Sequence, residues 1–324
     1  SGNSRMTYGD YLQHHGPNEF RQFDDALDKM DMESWQSDLR DLVPASAAMF
    51  GKLLATPTAA LWNARPARGI FPLVLYSGGK GSRADDNIEL GEYLASYGYV
   101  VATVPQLGPS DQELELGSSP REIALHADDF DAALTALHSV SGIRFDPIAT
   151  IGHSDGGEVA VELALRHPEV KAVVGLDGSY GMSGGARIFV QLPEYTSGRR
   201  IQASLLDLRR AEGSQGVKLD LNAIDALQWT HLYRAAFQLA YHGDFTEWGM
   251  VAWKLQIPMP ANPYGHTRQI GYNVNRRACR AILDFLDAEL RTRPQGIAAL
   301  KKSLRNDPGV AFSEVLGASR PRAK

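Results

Sequence analysis

Cysteine is almost absent from this 324-residue chain. Cys279 is its one thiol, so no disulfide can form within a single copy. Its expected role is that of a small buried hydrophobe. No apolar run approaches the ~20 residues that a membrane-spanning helix needs. Neither sign of charge dominates: 33 Lys and Arg face 38 Asp and Glu, and the net charge of −5 is spread along the chain. That distribution offers no basic face for nucleic acid. Metal motifs are missing as well, with no His-Glu-x-x-His and no His or Cys pairs at ligand spacing. The nucleotide P-loop pattern fails at its one candidate, because Gly81 follows Lys80 and position 74 is valine. Internal repeats and low-complexity segments are also lacking. The expectation is a protein with no cofactor and no metal, acting on a small molecule. The first residues, Ser1-Gly2-Asn3-Ser4, carry neither an initiator Met nor an apolar leader core. They fit a removed leader or an added start, and leave export and a cytoplasmic location both open.

What is present is an ordinary globular composition, 44% hydrophobic, long enough to bury a sizeable core. Residues 1–65 are polar and interrupted by Gly and Pro, with helix-like stretches at Phe20–Met30 and Leu42–Leu54, and read as a helical or irregular extension. Residues 66–292 alternate between strands and helices and read as the catalytic domain. Residues 293–324 read as a polar tail ending in SRPRAK, either a peripheral helix or an arm for a partner.

Within the central part, Phe71–Tyr76 (FPLVLY) is a short apolar run feeding Ser77-Gly78-Gly79, the pattern of a buried strand and a Gly-rich turn. Asn87–Tyr97 reads as a helix and Tyr99–Val104 as a second strand. Pro120–Val140 places Ile123, Ala127, Phe130, Leu134 and Leu137 on one helical face. A strand over Pro147–Ile151, a helix over Gly156–Arg166 and a strand over Lys171–Leu176 follow. Further expectations are a strand over Arg200–Leu206, a helix over Asn222–Phe237, a short strand over Gln238–Tyr241 and a helix over Asn275–Leu290. Such alternation implies an α/β fold, a mostly parallel central sheet with helices on both faces. Ligands of such sheets bind at the carboxyl ends of the strands.

One of those ends carries Gly152-His153-Ser154-Asp155-Gly156, a G-x-S-x-G sequence between an expected strand and an expected helix. This setting strains the turn and lifts the Ser154 hydroxyl clear of the sheet, with small residues at 152, 156 and 157 allowing close backbone passage. A serine hydroxyl is a weak nucleophile without a base and a group to orient that base. Asp177 directly follows KAVVGL and is the candidate acid. Among nine histidines, chain order and placement leave His242, in YHGDFTEW, as the favoured base and His266 as the alternative. His242 is expected in a strand-to-helix loop, with Asp244 and Glu247 forming a helix capping box. An acyl-transfer site also needs N–H donors for the developing oxyanion. The Asp155 N–H is one, and a second is expected from the loop Ser77–Ser82.

Three segments resemble the α/β-hydrolase superfamily, in the branch of platelet-activating-factor acetylhydrolases and dienelactone-hydrolase-like proteins. They are PLVLYSGGKG with LGEYLASYGYVVATV, then IGHSDGGEVAVELAL with KAVVGLDGSY, then YHGDFTEW, and the resemblance they carry covers about Pro72 to Leu290. The resemblance implies the α/β-hydrolase fold with a small insert or lid after the acid-bearing strand. It implies a triad of Ser154, Asp177 and His242, and an oxyanion hole from the N–H groups of Lys80 and Asp155. The family often has His-Gly where this chain has Gly78-Gly79. The early segment MTYGDYL is also similar to one in uncharacterised, often exported, bacterial members. The activity implied is cofactor-free hydrolysis of carboxylic esters through an acyl-enzyme. Acyl transfer or peptidase chemistry with the same triad, and a non-catalytic binding protein retaining the fold, are the alternatives. Ser179–Gln202 is expected to form a lid or pocket wall, and Tyr180, Met182, Tyr195 and Trp248 to line an acyl pocket or fill the core.

Overall fold

The alternating pattern closes into a seven-stranded sheet in the computed structural model, which describes residues 4–42, 47–107, 118–140, 143–259, 262–291 and 293–316. The N-terminal part comprises β1 (Arg5–Thr7), α1 (Tyr8–Tyr11), α2 (Arg21–Leu42), α3 (Ala47–Leu54) and β2 (Pro57–Leu61), with β1 and β2 paired antiparallel. The sheet and its crossovers follow as β3 (Phe71–Ser77), α4 (Ile88–Ser96), β4 (Val100–Thr103), α5 (Pro120–Ser139), β5 (Phe145–His153), α6 (Gly156–Arg166) and β6 (Val170–Leu176). The second half adds α7 (Gly185–Phe189), β7 (Ser204–Arg210), α8 (Asn222–Asp225), β8 (His231–Phe237), α9 (Trp248–Lys254), α10 (Arg268–Leu290), α11 (Gln295–Arg305) and β9 (Val310–Leu316). The strand order is β4-β3-β5-β6-β7-β8-β9, parallel throughout except for the antiparallel β8–β9 pair.

Side-chain alternation builds two cores from one sheet. Val74 and Tyr76 of β3 belong to the core that α4, α10 and α11 cover, while Leu73 and Leu75 belong to the one that α5 and α6 cover. Helix α5 starts at a Ser119–Glu122 capping box with Pro120 at its first turn, and buries the expected Ile123, Ala127, Phe130 and Leu134. The mostly parallel sheet with helices on both faces is the α/β architecture expected.

Several local expectations are overturned. Arg200–Leu206 is not the fifth strand, which instead runs from Ser204 to Arg210. The helix expected over Asn222–Phe237 stops at Asp225, and His231–Phe237 is strand β8. There Leu232, Tyr233, Ala235 and Phe237 are buried between β7 and β9, and this packing outweighs the helix preference of the two alanines. Gln238–Tyr241 is consequently a connection, with Leu239 at φ 60°, and not a strand. Residues 293–324 are not simply a polar tail. Helix α11 buries Leu300 and Leu304, and β9 covers the edge that β8 would otherwise expose. The terminal SRPRAK lies outside the described residues. The insert over Ser179–Gln202 packs Tyr180, Phe189, Leu192 and Ile201 into the core on the α5–α6 face, while its first residues, Ser179 and Met182, adjoin Ser154 and Arg210.

The N-terminal part docks onto this frame as a third cluster. Leu27, Trp35 and Leu39 of α2 recur at multiples of four and are buried, the latter two with Tyr8, Leu53, Ile88, Val251 and Leu255. The Trp35 indole donates to Asp85 Oδ2 at 2.6 Å and lies under the Arg83 guanidinium, 4.8 Å from its ring centroid. Arg83 in turn reaches Ser34, Asp38 and Asp85. Replacing Trp35 with Ala therefore removes a buried aromatic and one partner of a buried carboxylate. The expected loss is about 3–5 kcal/mol of unfolding free energy. Urea titration checks it, and a loss near zero would mean that the extension is dispensable to the fold.

Candidate active site

The carboxyl ends of β3, β5, β6 and β7 and the turn after β8 converge on one face. Ser154 sits between β5 and α6 at φ 53°, a left-handed conformation rare for a residue with a Cβ. Its backbone is held by Ser154 N–H to Leu176 O at 3.1 Å, and by Gly157 N–H and Ser179 N–H donating to Ser154 O at 3.0 and 2.9 Å. The turn passes so close to the β3 loop that a Cβ on Gly156 would lie 2.2 Å from the carbonyl oxygens of both Ser77 and Gly78. Gly79 of that loop rests on the serine, since a Cβ there would be 3.1 Å from Ser154 Cβ.

Asp177 directly follows β6, also at positive φ (48°), and its carboxylate is 1% exposed. Oδ1 accepts the Arg210 backbone N–H at 3.0 Å, and Oδ2 accepts Arg210 Nε at 2.5 Å and His242 Nδ1 at 2.5 Å. Burial pushes this carboxyl up, but the His242 hydrogen bond and charge, then Arg210, outweigh it and hold it at about 2. Because a carboxylate only accepts, His242 Nδ1 carries a hydrogen, which in the neutral imidazole leaves the lone pair on Nε2. The His242 backbone N–H donates to Gln215 Oε1 at 2.9 Å, which also accepts Arg210 Nη1 at 2.8 Å.

The structure thus brings Asp177 and His242 together and places His266 elsewhere. His266 is buried, pairs through Nε2 with Asp244 Oδ2 at 2.9 Å, and stacks on Tyr241 at 4.0 Å. The expected Asp244–Glu247 capping box does not form. Asp244 accepts the Tyr241 N–H at 2.7 Å, while Glu247 is fully buried beside Arg83. Ser154 Oγ makes no hydrogen bond to His242 in this conformation; its one hydrogen bond among the described residues is with Ser179 Oγ at 3.5 Å. Ser179 Oγ donates to Asp155 Oδ1 at 2.5 Å, and Ser118 Oγ donates to Oδ2, so the side chain after the serine is fixed. Neither the Lys80 N–H nor the Asp155 N–H donates a hydrogen bond among the described residues.

Of the pocket candidates, Tyr180 is core, its hydroxyl on Asp207 at 3.1 Å, and Tyr195 bonds the Ala223 carbonyl. Trp248 packs on Trp35 with ring centroids 4.9 Å apart. Met182 alone adjoins the site, with its sulfur 3.8 Å from Arg210 Nη2. Arg210, Gln215 and Ser179 were not anticipated from the sequence. Arg210 was hidden because the fifth strand was expected to end before it. Among the described residues, no helix is long and apolar enough to cross a membrane, and no three His, Cys, Asp or Glu side chains cluster to hold a metal ion.

Three similarities bear on this geometry. A family model described as Chlorophyllase matches residues 46–198, which include Ser154 and Asp177 but not His242. The uncharacterized hydrolase YraK of Bacillus subtilis (strain 168) is 26% identical over 152 residues, covering 47% of this chain and 51% of that protein. The match therefore spans about half the length of that relative. The structure of a ferulic acid esterase from Streptomyces cinnamoneus superimposes with a TM-score of 0.60 at 26% identity, covering 81% of this chain and 79% of the other. These likenesses are coarser than the acetylhydrolase and dienelactone-hydrolase branch of the sequence resemblance.

His153 flanks the pair, its ring 4.4 Å from that of His242 and its Nε2 3.2 Å from the His242 carbonyl. Burial first, then the neighbouring His242, lower this imidazole from 6.5 to about 4, against the pull of Asp86 and Asp177. Between those values the unfolded chain binds a proton that the folded chain does not. His153 therefore withdraws stability as pH falls from 6.5 toward 4, by up to about 3 kcal/mol, and withdraws none above that window. Urea unfolding of the protein and of His153→Gln at pH 7 and pH 4.5 tests this. The variant should lose less stability on acidification, and parallel losses would refute the assignment.

Proposed function

Because the chain belongs to the α/β-hydrolase superfamily, we propose that it is a serine hydrolase of carboxylic esters with Ser154 as nucleophile, His242 as base and Asp177 as orienting acid. The observation that carries this reading is the hydrogen bond from His242 Nδ1 to buried Asp177 Oδ2, at strand ends beside a serine held at positive φ. The likeness to a structure titled as an esterase supports an ester as the bond cleaved.

In this mechanism Ser154 Oγ attacks the acyl carbon and its proton passes to His242 Nε2. The carbonyl oxygen becomes an oxyanion held by the N–H groups of Lys80 and Asp155. The tetrahedral intermediate collapses, the C–O bond to the alcohol breaks, and the imidazolium returns the proton to the leaving alkoxide. Water then attacks the Ser154 ester while His242 takes its proton, and collapse releases the acid and restores the serine hydroxyl. The Ser154–His242 hydrogen bond forms as substrate orders the serine side chain, since such bonds are often loose before substrate binds.

The test is turnover of p-nitrophenyl esters together with labelling by a fluorophosphonate probe. Ser154→Ala should lose label and reduce kcat by about 10^5-fold or more, and Asp177→Asn should reduce kcat by about 10^4-fold. Undiminished hydrolysis by Ser154→Ala would remove the proposal.

A further inference from the structure

The oxyanion loop has a clamp on it that neither the triad nor the elbow accounts for. Gln106 follows β4, is 4% exposed, and spends both ends of its side-chain amide on the loop. Its Nε2 donates to Gly78 O at 2.9 Å, and its Oε1 accepts the Gly81 N–H at 3.1 Å. Its backbone N–H donates to Ser82 O at 3.0 Å, and the Ser82 N–H closes the turn onto Gly79 O at 3.0 Å. The two side-chain bonds therefore fall on either side of residue 80. Lys80 has its side chain exposed and its N–H free of any intramolecular acceptor among the described residues.

We infer that Gln106 is a positioning residue for the oxyanion hole, holding the Lys80 N–H at the angle at which it meets the carbonyl oxygen. This inference rests on the serine-esterase reading and deepens it. The physical reason is that a donor stabilises a transition state only if it is aimed before the charge develops. A loop containing Gly78, Gly79 and Gly81 has little stiffness of its own. A buried amide that donates on one side and accepts on the other supplies that stiffness, and an isosteric apolar side chain does not. Gln106 touches no reacting atom, so its effect is exerted through the Lys80 peptide.

The test compares Gln106→Leu and Gln106→Glu with the unmodified chain on a p-nitrophenyl ester. A trifluoromethyl ketone, which forms a tetrahedral adduct with an oxyanion, serves as a reversible inhibitor. Gln106→Leu loses both bonds, and its kcat should fall by about 10- to 100-fold with KM changed by less than about threefold. The ketone Ki should rise by a factor similar to the fall in kcat/KM, because analogue and transition state use the same donors. Gln106→Glu, of unchanged size, keeps an acceptor for the Gly81 N–H but sets a second oxygen against Gly78 O, so it should lower kcat and raise Ki at least as far as Gln106→Leu. It also provides the measurement if the leucine variant does not fold. End-point titration with a fluorophosphonate counts competent sites, so a drop in folded fraction is separated from a drop in rate per site. An unchanged Ki per titrated site in the folded variants, or kcat within about threefold of normal, would overturn the inference while leaving the esterase reading intact. Turnover surviving Ser154→Ala would instead bring down both.

Discussion

A buried carboxylate must be compensated where it lies, and the Asp177 carboxylate organises this site for that reason. At 1% exposure it has no water to rely on. An uncompensated charge there would be driven neutral or would unfold its surroundings. Its donors come from the end of β7 and from the turn after β8. A ring of contacts results: Asp177 to Arg210, Arg210 to Gln215, Gln215 to the His242 backbone, and the His242 ring back to Asp177. Removing one member of such a buried pair typically costs about 3–5 kcal/mol, so the ring resists rearrangement. It fixes His242 at both backbone and side chain although the imidazole lies in a short turn.

The opposite wall of the site is held by different chemistry. There the loop after β3 has glycines where it must pass the elbow, and its order is imported from Gln106 on one side and Arg83 on the other. Arg83 sits just past the loop and is fastened to Ser34 and Asp38 of α2 and to Asp85. The N-terminal extension is thus more than a covering. Its helix α2 contributes to the anchoring of the segment that carries Lys80, and Trp35 closes the same network through Asp85.

The parts of this arrangement governed by local rules were legible in the sequence. The strand, Gly-rich turn and elbow helix around Ser154 were readable because hydrophobic runs and small residues sit at fixed offsets. Helix α6 spans the residues expected of it, and α5 ends within one residue of its expected end. Elements decided by tertiary partners were not legible. His231–Phe237 resembles a helix segment until Leu232 and Tyr233 meet β7, and until a strand some 80 residues further on pairs with it. The clamp residues left no local signal either. Arg210, Gln215 and Gln106 do their work through partners 25 to 33 positions away or through each other, and no motif announces them. His242 was favoured over His266 by its place in a strand-to-helix loop, and the two differ in their acids, Asp177 for one and Asp244 for the other.

Arg210 and His153 together bear on how the proposed base is handled. Arg210 shares the Asp177 oxygen that His242 uses, so part of the carboxylate charge is neutralised before any proton moves. In the proposed mechanism Asp177 then serves chiefly to fix the tautomer and the direction of the ring, and less as a full counter-charge to an imidazolium. His153 makes that arrangement workable. Its ring lies tilted by 34° against that of His242, and a second cation there would oppose proton uptake by repulsion at 4.4 Å. Burial holds His153 down at about 4, so at neutral pH it is an uncharged surface whose Nε2–H braces the His242 carbonyl. Deprived of water, the buried imidazole adds no second positive charge beside the proposed base. The same burial accounts for the stability that the fold surrenders in acid.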